Sequence, residues 1–191
     1  MRLGVLEDRH GIRTKALFVM IRVFSRHRVV DAVKLARYRP DFYRAGGVTQ
    51  EAMRGPSSWS VADRELMAAY VSRVNQTEFC VLAHSATASI AYGDDAKVSA
   101  VLGNLEVAPI EEPLKATLQV LGKLTRDGRL EIDDIRGALA AGASYEQLQE
   151  AFAVCFAFNV TDRLADAFDF AVDDTEAITA GARYLLSRGY R

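Results

Sequence analysis

The sequence predicts an all-α protein, and three observations carry that prediction. Apolar residues recur at helical spacing, as in Leu66, Met67, Tyr70, Val71 and Val74. No segment alternates polar and apolar residues between turn residues in the manner of a strand. Proline is rare, at 4 of 191 residues, and glycine gathers at segment ends, where helices stop.

The elements follow in order. A first helix is expected over Thr14 to Ser25, apolar on most sides, and a second over Val29 to Tyr38. The stretch from Arg39-Pro40-Asp41 to Ser58 holds proline, paired glycines and a Gly-Pro-Ser-Ser run, and reads as linker and turn. Ser60 is an N-cap candidate, with Asp63 three residues on completing a capping box built from a shorter acid. The helix behind it is interrupted at Asn75-Gln76, and the next runs to Tyr92 and stops at Gly93. Further helices are expected at Ala96 to Leu102, Glu112 to Leu124, Ile132 to Ala140 and Tyr145 to Phe168, with Gly142 and Ser144 marking the start of the last. A final helix, Asp174 to Ser187, has acids at its beginning and Arg183 and Arg188 near its end, as the helix dipole favours.

Composition narrows the function classes. Half the residues are hydrophobic, and 24 basic residues nearly cancel 25 acidic ones. A net charge of -1 gives no electrostatic reason to expect nucleic acid or an acidic membrane as partner. Arg22, Arg26, Arg28, Lys34, Arg37 and Arg39 lie close together and read as a solvated helical face; His10 and His27, in polar surroundings, read as surface residues. No stretch approaches the ~20 apolar residues of a membrane span, and no signal peptide is recognisable. Two widely spaced cysteines, Cys80 and Cys155, make no disulfide framework. A cytoplasmic protein is therefore expected. Cys155, between Val154 and Phe156, reads as a core residue.

The chemistry concentrates in Asn75-Gln76-Thr77-Glu78-Phe79-Cys80-Val81-Leu82-Ala83-His84. Residues three and four apart share a helix face, so Thr77, Cys80 and His84 form one polar stripe on an otherwise apolar helix. Cys80 falls in the first or second turn, where unpaired N–H groups and the positive end of the dipole favour a thiolate. A thiolate attacks a peroxide oxygen, and an imidazole can deliver the proton that the departing alkoxide needs. Glu65 stands on the preceding helix beside core-facing residues. Two helices joined by a tight Asn75-Gln76 corner would bring its carboxylate to the imidazole. With only His84 and Cys80 as ligands and no phosphate-cradling glycine loop, neither a metal nor another cofactor is expected.

Glu65, Thr77, Cys80 and His84 match the offsets of a motif that runs Glu, eleven residues, Cys, two residues, Cys, three residues, His. Around them stand Arg54-Gly55-Pro56-Ser57, Ala62-Asp63-Arg64-Glu65-Leu66 and Val71-Ser72-Arg73-Val74-Asn75. Later come Leu124-Thr125 with Ile132-Asp133-Asp134-Ile135-Arg136, then Phe158-Asn159-Val160-Thr161-Asp162-Arg163-Leu164-Ala165-Asp166. In this order they resemble the AhpD-like alkylhydroperoxidase / carboxymuconolactone decarboxylase family, in its "peroxidase-related" branch. The resemblance covers roughly Tyr38 to Phe168. It implies one AhpD-like domain, a compact bundle of about seven to nine helices, with a helical arm over residues 1–37, a core over 38–168 and a C-terminal helix over 169–191. It also implies a peroxide substrate, an external thiol or redox-protein reductant, and a homo-oligomer, trimer or hexamer.

One position departs from the pattern. The family's first cysteine, which resolves the sulfenic acid as a disulfide, is Thr77 here, while the attacking cysteine is Cys80. Threonine can hold a hydrogen bond to the thiolate but forms no disulfide, so an outside thiol would have to restore Cys80. Cys80 as nucleophile, Glu65 and His84 as proton relay, and Thr77 as the group orienting the thiol make up the expected catalytic set. Asn159 and Arg163, with Asp166, recur at helical spacing and either line the pocket, reach another subunit or form a solvated face. Two other readings stay open: a lyase in which Glu65 and His84 are the acid–base pair and Cys80 a pocket wall, and an oligomer that has lost the chemistry.

Overall fold

A computed structural model describes residues 4–40 and 47–190, and among these every regular element is helical. The nine helices expected from the sequence are all present, within a few residues at each end. They are α2 (Ile12–Ser25), α3 (Asp31–Tyr38), α5 (Val61–Asn75), α6 (Glu78–Tyr92), α7 (Asp95–Gly103), α8 (Glu112–Asp127), α9 (Ile132–Ala140), α10 (Tyr145–Ala167) and α11 (Thr175–Arg188). Two short helices, α1 (Val5–Asp8) and α4 (Val48–Arg54), and a 3-10 turn at Leu105–Val107 add to them.

Helix α4 corrects the linker reading over part of its length; residues 41–46 lie outside the described residues. Gln50-Glu51-Ala52-Met53-Arg54 are good helix formers, and Met53 is fully buried in the core. The glycines and proline that flank the segment punctuate the helix rather than replace it. The turn after α4 is also tied down. Glu150 accepts hydrogen bonds from the Ser57 and Ser58 hydroxyls, and the Trp59 indole N–H donates to the Gln147 carbonyl at 2.8 Å.

Helix α5 is the central rod. It is buried nearly all round, with Leu66, Met67, Ala68 and Val71 in the main core and Ala69, Glu65 and Ser72 also inside. A helix enclosed on all sides needs no single apolar stripe. Helices α4, α6, α8 and α10 pack against it, and α11 packs against α6. Ser60 caps α5 by accepting the Asp63 N–H at 3.0 Å, while the Asp63 carboxylate accepts the Ser60 N–H at 3.1 Å.

The corner between α5 and α6 is tight. Gln76 takes left-handed backbone angles (φ 62°, ψ 30°), which lets the Thr77 N–H reach back to the Ser72 carbonyl at 3.0 Å. The chain then reverses, with Thr77 as the N-cap of α6, and α5 and α6 lie side by side. Gly93, also left-handed, ends α6 where expected.

The N-terminal segment is less solvated than its charge suggests. His10 is buried, with Nε2 at 2.9 Å from the Leu6 carbonyl and its ring edge-on to Phe18, which corrects its assignment to the surface. Arg28 pairs with Asp31 and Asp173, and Lys34 with Asp31. Leu6 and Leu35 enter a second apolar cluster with Ala165, Phe170 and Cys80. No helix among the described residues is long and apolar enough to cross a membrane.

Removing the α5 cap tests whether this helix is anchored as described. Ser60→Ala is expected to lower the unfolding free energy by about 1 kcal/mol, measured as a shifted urea midpoint at constant slope.

Candidate functional site

The reversal at Gln76 sets α5 beside α6, and this pairing brings Glu65 to His84. The His84 Nδ1–H donates to Glu65 Oε2 at 2.7 Å. The carboxylate has zero exposure and the imidazole is buried beside it. Two further groups complete the cluster. Arg54, at the end of α4, donates from Nη2 to Glu65 Oε1 at 2.5 Å and to the Leu185 carbonyl at 3.1 Å. Tyr190, two residues past α11, donates its hydroxyl to Glu65 Oε1 at 2.9 Å; its oxygen lies 3.2 Å from His84 Nδ1. Its ring lies nearly parallel to the His84 imidazole, 14° from coplanar, while Phe158 meets that imidazole edge-on.

Both oxygens of Glu65 are thus satisfied, as a buried carboxylate requires. Burial alone would raise its pKa. The hydrogen bond and charge of His84, together with the Arg54 guanidinium, outweigh that and hold it below the usual carboxylate range. An ionised Glu65 accepts only, so the ring nitrogen that faces it, Nδ1, carries a proton, and whenever the imidazole is neutral the lone pair lies on Nε2.

Cys80 lies one turn before His84 on α6 and is also buried, but its surroundings differ. The expectation of a thiolate favoured by the helix start is not met. Burial pushes the thiol well above its ordinary value, and the carboxylates of Asp162 and Asp166 push the same way, with Asp162 also accepting a hydrogen bond from the thiol. The dipole of one helix end is outweighed by a dry cluster and two acids. Asp162 is fully buried, accepting the Ser72 hydroxyl and the Asn75 amide, both at 2.8 Å. Burial raises its carboxyl too, since its partners are neutral donors.

Thr77 is buried, but its hydroxyl donates to Asp166 Oδ2 at 2.9 Å and not to the sulfur. For the same reason it makes no side-chain cap for α6. Asn159 turns inward, bonding Cys155 Sγ at 3.3 Å and accepting from Asn75 at 3.2 Å. Arg163 is exposed on α10 and stands apart from the Glu65 cluster. Cys155 is a buried residue of the main core, as expected. Among the described residues no three His, Cys, Asp or Glu side chains are grouped to hold a metal.

Two residues of the cluster escape sequence reasoning. Tyr190 lies 125 residues from Glu65, beyond any helical periodicity. Arg54 stands within one of the matching motifs, but as a residue before a turn it carries no sign of its partner.

No protein-family model matches the chain, and no curated protein matches it. Solved structures do. A peroxidase-related protein from Silicibacter sp. TM1040, itself uncharacterized, is 23% identical, with a TM-score of 0.73 over 88% of each chain. The chain has the AhpD-like fold. The second match, an alkylhydroperoxidase AhpD core protein from Ralstonia eutropha JMP134 that is also described as uncharacterized and peroxidase-related, is 19% identical, with a TM-score of 0.72 over 91% of each chain. Within this AhpD-like frame Glu65, Cys80 and His84 share the buried interface of α5, α6 and α10.

Two predictions follow from the opposed carboxylates. Because the folded Glu65 titrates below its ordinary 4.5, its stabilisation is complete above that pH and is lost as pH falls through the folded value. Glu65→Gln is therefore expected to cost about 3 kcal/mol near neutrality, with the gap to the parent protein closing below pH 4.5 in acid-dependent urea melts. For Cys80, Asp162→Asn removes a negative neighbour. It should move the pH midpoint of Cys80 alkylation downward, followed by mass spectrometry; an unmoved midpoint would show that Asp162 does not govern the thiol.

Proposed function

We propose that this protein is a thiol-dependent peroxidase of the alkylhydroperoxidase type, reducing hydrogen peroxide or an organic hydroperoxide at Cys80. The observation that carries this reading is the Glu65–His84 hydrogen bond, buried one helical turn from a buried cysteine. Glu65 fixes the imidazole with its proton on Nδ1, leaving Nε2 to take the thiol proton as the sulfur attacks. The sulfur bonds to the distal oxygen of ROOH, the O–O bond breaks, and the RO⁻ released takes up that proton as ROH. Cys80 is left as a sulfenic acid. One outside thiol condenses with it, releasing water, and a second reduces the mixed disulfide and restores Cys80–SH.

Thr77 cannot take the resolving role, which makes the reductant external. The raised pKa of Cys80 describes a resting thiol stored as S–H, which must lose its proton to His84 when peroxide arrives. A reducing compartment such as the cytoplasm fits two free thiols. A homo-oligomer fits the outer face of α2, where Ile12 is 88% and Phe24 83% exposed.

The same neutral thiol favours a second reading, an acid–base lyase with Glu65 and His84 as the working pair and Cys80 as a wall. Against it, a carboxylated substrate needs a cationic anchor, and Arg163 is exposed on α10 while the partly buried Arg54 is engaged by Glu65.

The test treats reduced protein with cumene hydroperoxide and traps sulfenic acid with a dimedone-type probe located by mass spectrometry. Labelling confined to Cys80 is expected, slowed by about a hundredfold in His84→Ala and abolished in Cys80→Ser. Labelling no faster than that of an ordinary buried thiol would remove the peroxidase reading and leave the lyase or an oligomer that has lost the chemistry.

A further inference from the structure

The Tyr190 side chain is placed with unusual care for a residue that lies past the last helix. Gly189 has φ 69° and ψ -151°, a backbone conformation that side chains with a Cβ rarely adopt. This turns the chain inward, and the Tyr190 N–H donates to Gln50 Oε1 on α4 at 2.7 Å. A Cβ on residue 189 would come within 2.5 Å of that same oxygen. The ring then lies under the Arg54 guanidinium, 5.2 Å from ring centre to carbon, and beside His84. Packing alone would ask for a phenylalanine here. The hydroxyl instead meets two groups at once, donating to Glu65 and presenting its oxygen lone pair to the Nδ1–H of His84.

We propose that Tyr190 is a positioning residue for His84: its hydroxyl bridges the Glu65 carboxylate and the Nδ1 edge of the imidazole and holds the two in register, and the C-terminal turn is the strap that brings it there. The proposal rests on the peroxidase reading for its consequence, but not for its geometry. A tyrosine oxygen that receives Nδ1–H while its proton goes to Glu65 reinforces the tautomer that the Glu65 anion already imposes and fixes the angle at which the ring stands. The strap therefore keeps the basic nitrogen, Nε2, available throughout the reaction. It also shuts the Glu65 side of the imidazole away from water, since Arg54, Tyr190 and Phe158 surround it.

Two variants test this. Tyr190→Phe keeps the ring, the packing against His84 and the Arg54 contact, and removes only the hydroxyl. Gly189→Ala leaves all four side chains of the cluster unchanged and forces the strap off Gln50. The first readout is the His84 tautomer, from two-bond nitrogen–proton correlation spectra of the reduced protein; the second is the pH profile of Cys80 sulfenic-acid formation. The parent protein is expected to show a single Nδ1–H tautomer. Both variants keep Glu65 and therefore the Nδ1–H tautomer, but should show a displaced pH profile and a Cys80 oxidation rate about tenfold lower, while the helical circular dichroism stays that of the parent. An unchanged pH profile and rate in Tyr190→Phe would overturn the proposal, as would an Nε2–H tautomer in the parent. If Cys80 of the parent fails to react with peroxide, the peroxidase reading fails, and the pH profile of Cys80 alkylation in Tyr190→Phe against the parent still decides the role of Tyr190.

Discussion

A single buried carboxylate, that of Glu65, fastens the centre of this molecule. An ionised carboxylate in a dry interior costs many kcal/mol unless every lone pair is met. Here the partners come from three other places in the chain: Arg54 from α4, His84 from α6, and Tyr190 from beyond α11. None is a neighbour of Glu65 in sequence, so satisfying one charge orders three segments around α5. Arg54 extends the constraint by also donating to the carbonyls of Met53 and Leu185.

The second buried carboxylate, Asp162, has no such cation. Its direct partners are a serine hydroxyl, an asparagine amide and the Cys80 thiol, which satisfy its oxygens without offsetting its charge. Burial therefore lowers the balance toward the protonated form, and the nearby thiol is driven the same way. The two acids divide the site electrically. On one side an arginine keeps a carboxylate ionised and an imidazole oriented; on the other, uncompensated acids keep a sulfur protonated until something removes its proton.

Much of this was legible in the sequence because it is local. Ser60 and Asp63 lie within one turn of each other, Gly93 marks its own left-handed stop, and the spacing from Glu65 to His84 across a two-residue corner leaves few ways for the helices to pair. What was not legible depends on contacts across long sequence separations. The hydroxyl of Thr77 faces two choices, the sulfur one turn on or an acid on α10, and only the packing of α10 decides for Asp166. His10 looks like a surface residue until Leu6 and Phe18 close over it. Helix α4 was hidden by its own flanking glycines and proline, which are equally good signs of a loop and of a short helix with firm ends.

The burial of Cys80 has a kinetic consequence. With Leu6 and Leu35 of the N-terminal segment packed over the same cluster, reagents reach the sulfur through a local opening of that cover rather than by collision with an exposed surface. At low reagent concentration the observed rate is then the opening equilibrium multiplied by the intrinsic reactivity. At high concentration it levels off at the opening rate itself and no longer depends on what the reagent is. Selectivity between small and bulky oxidants is in that case set by how wide the cover opens, a property of helices α1 and α3 and not of the sulfur.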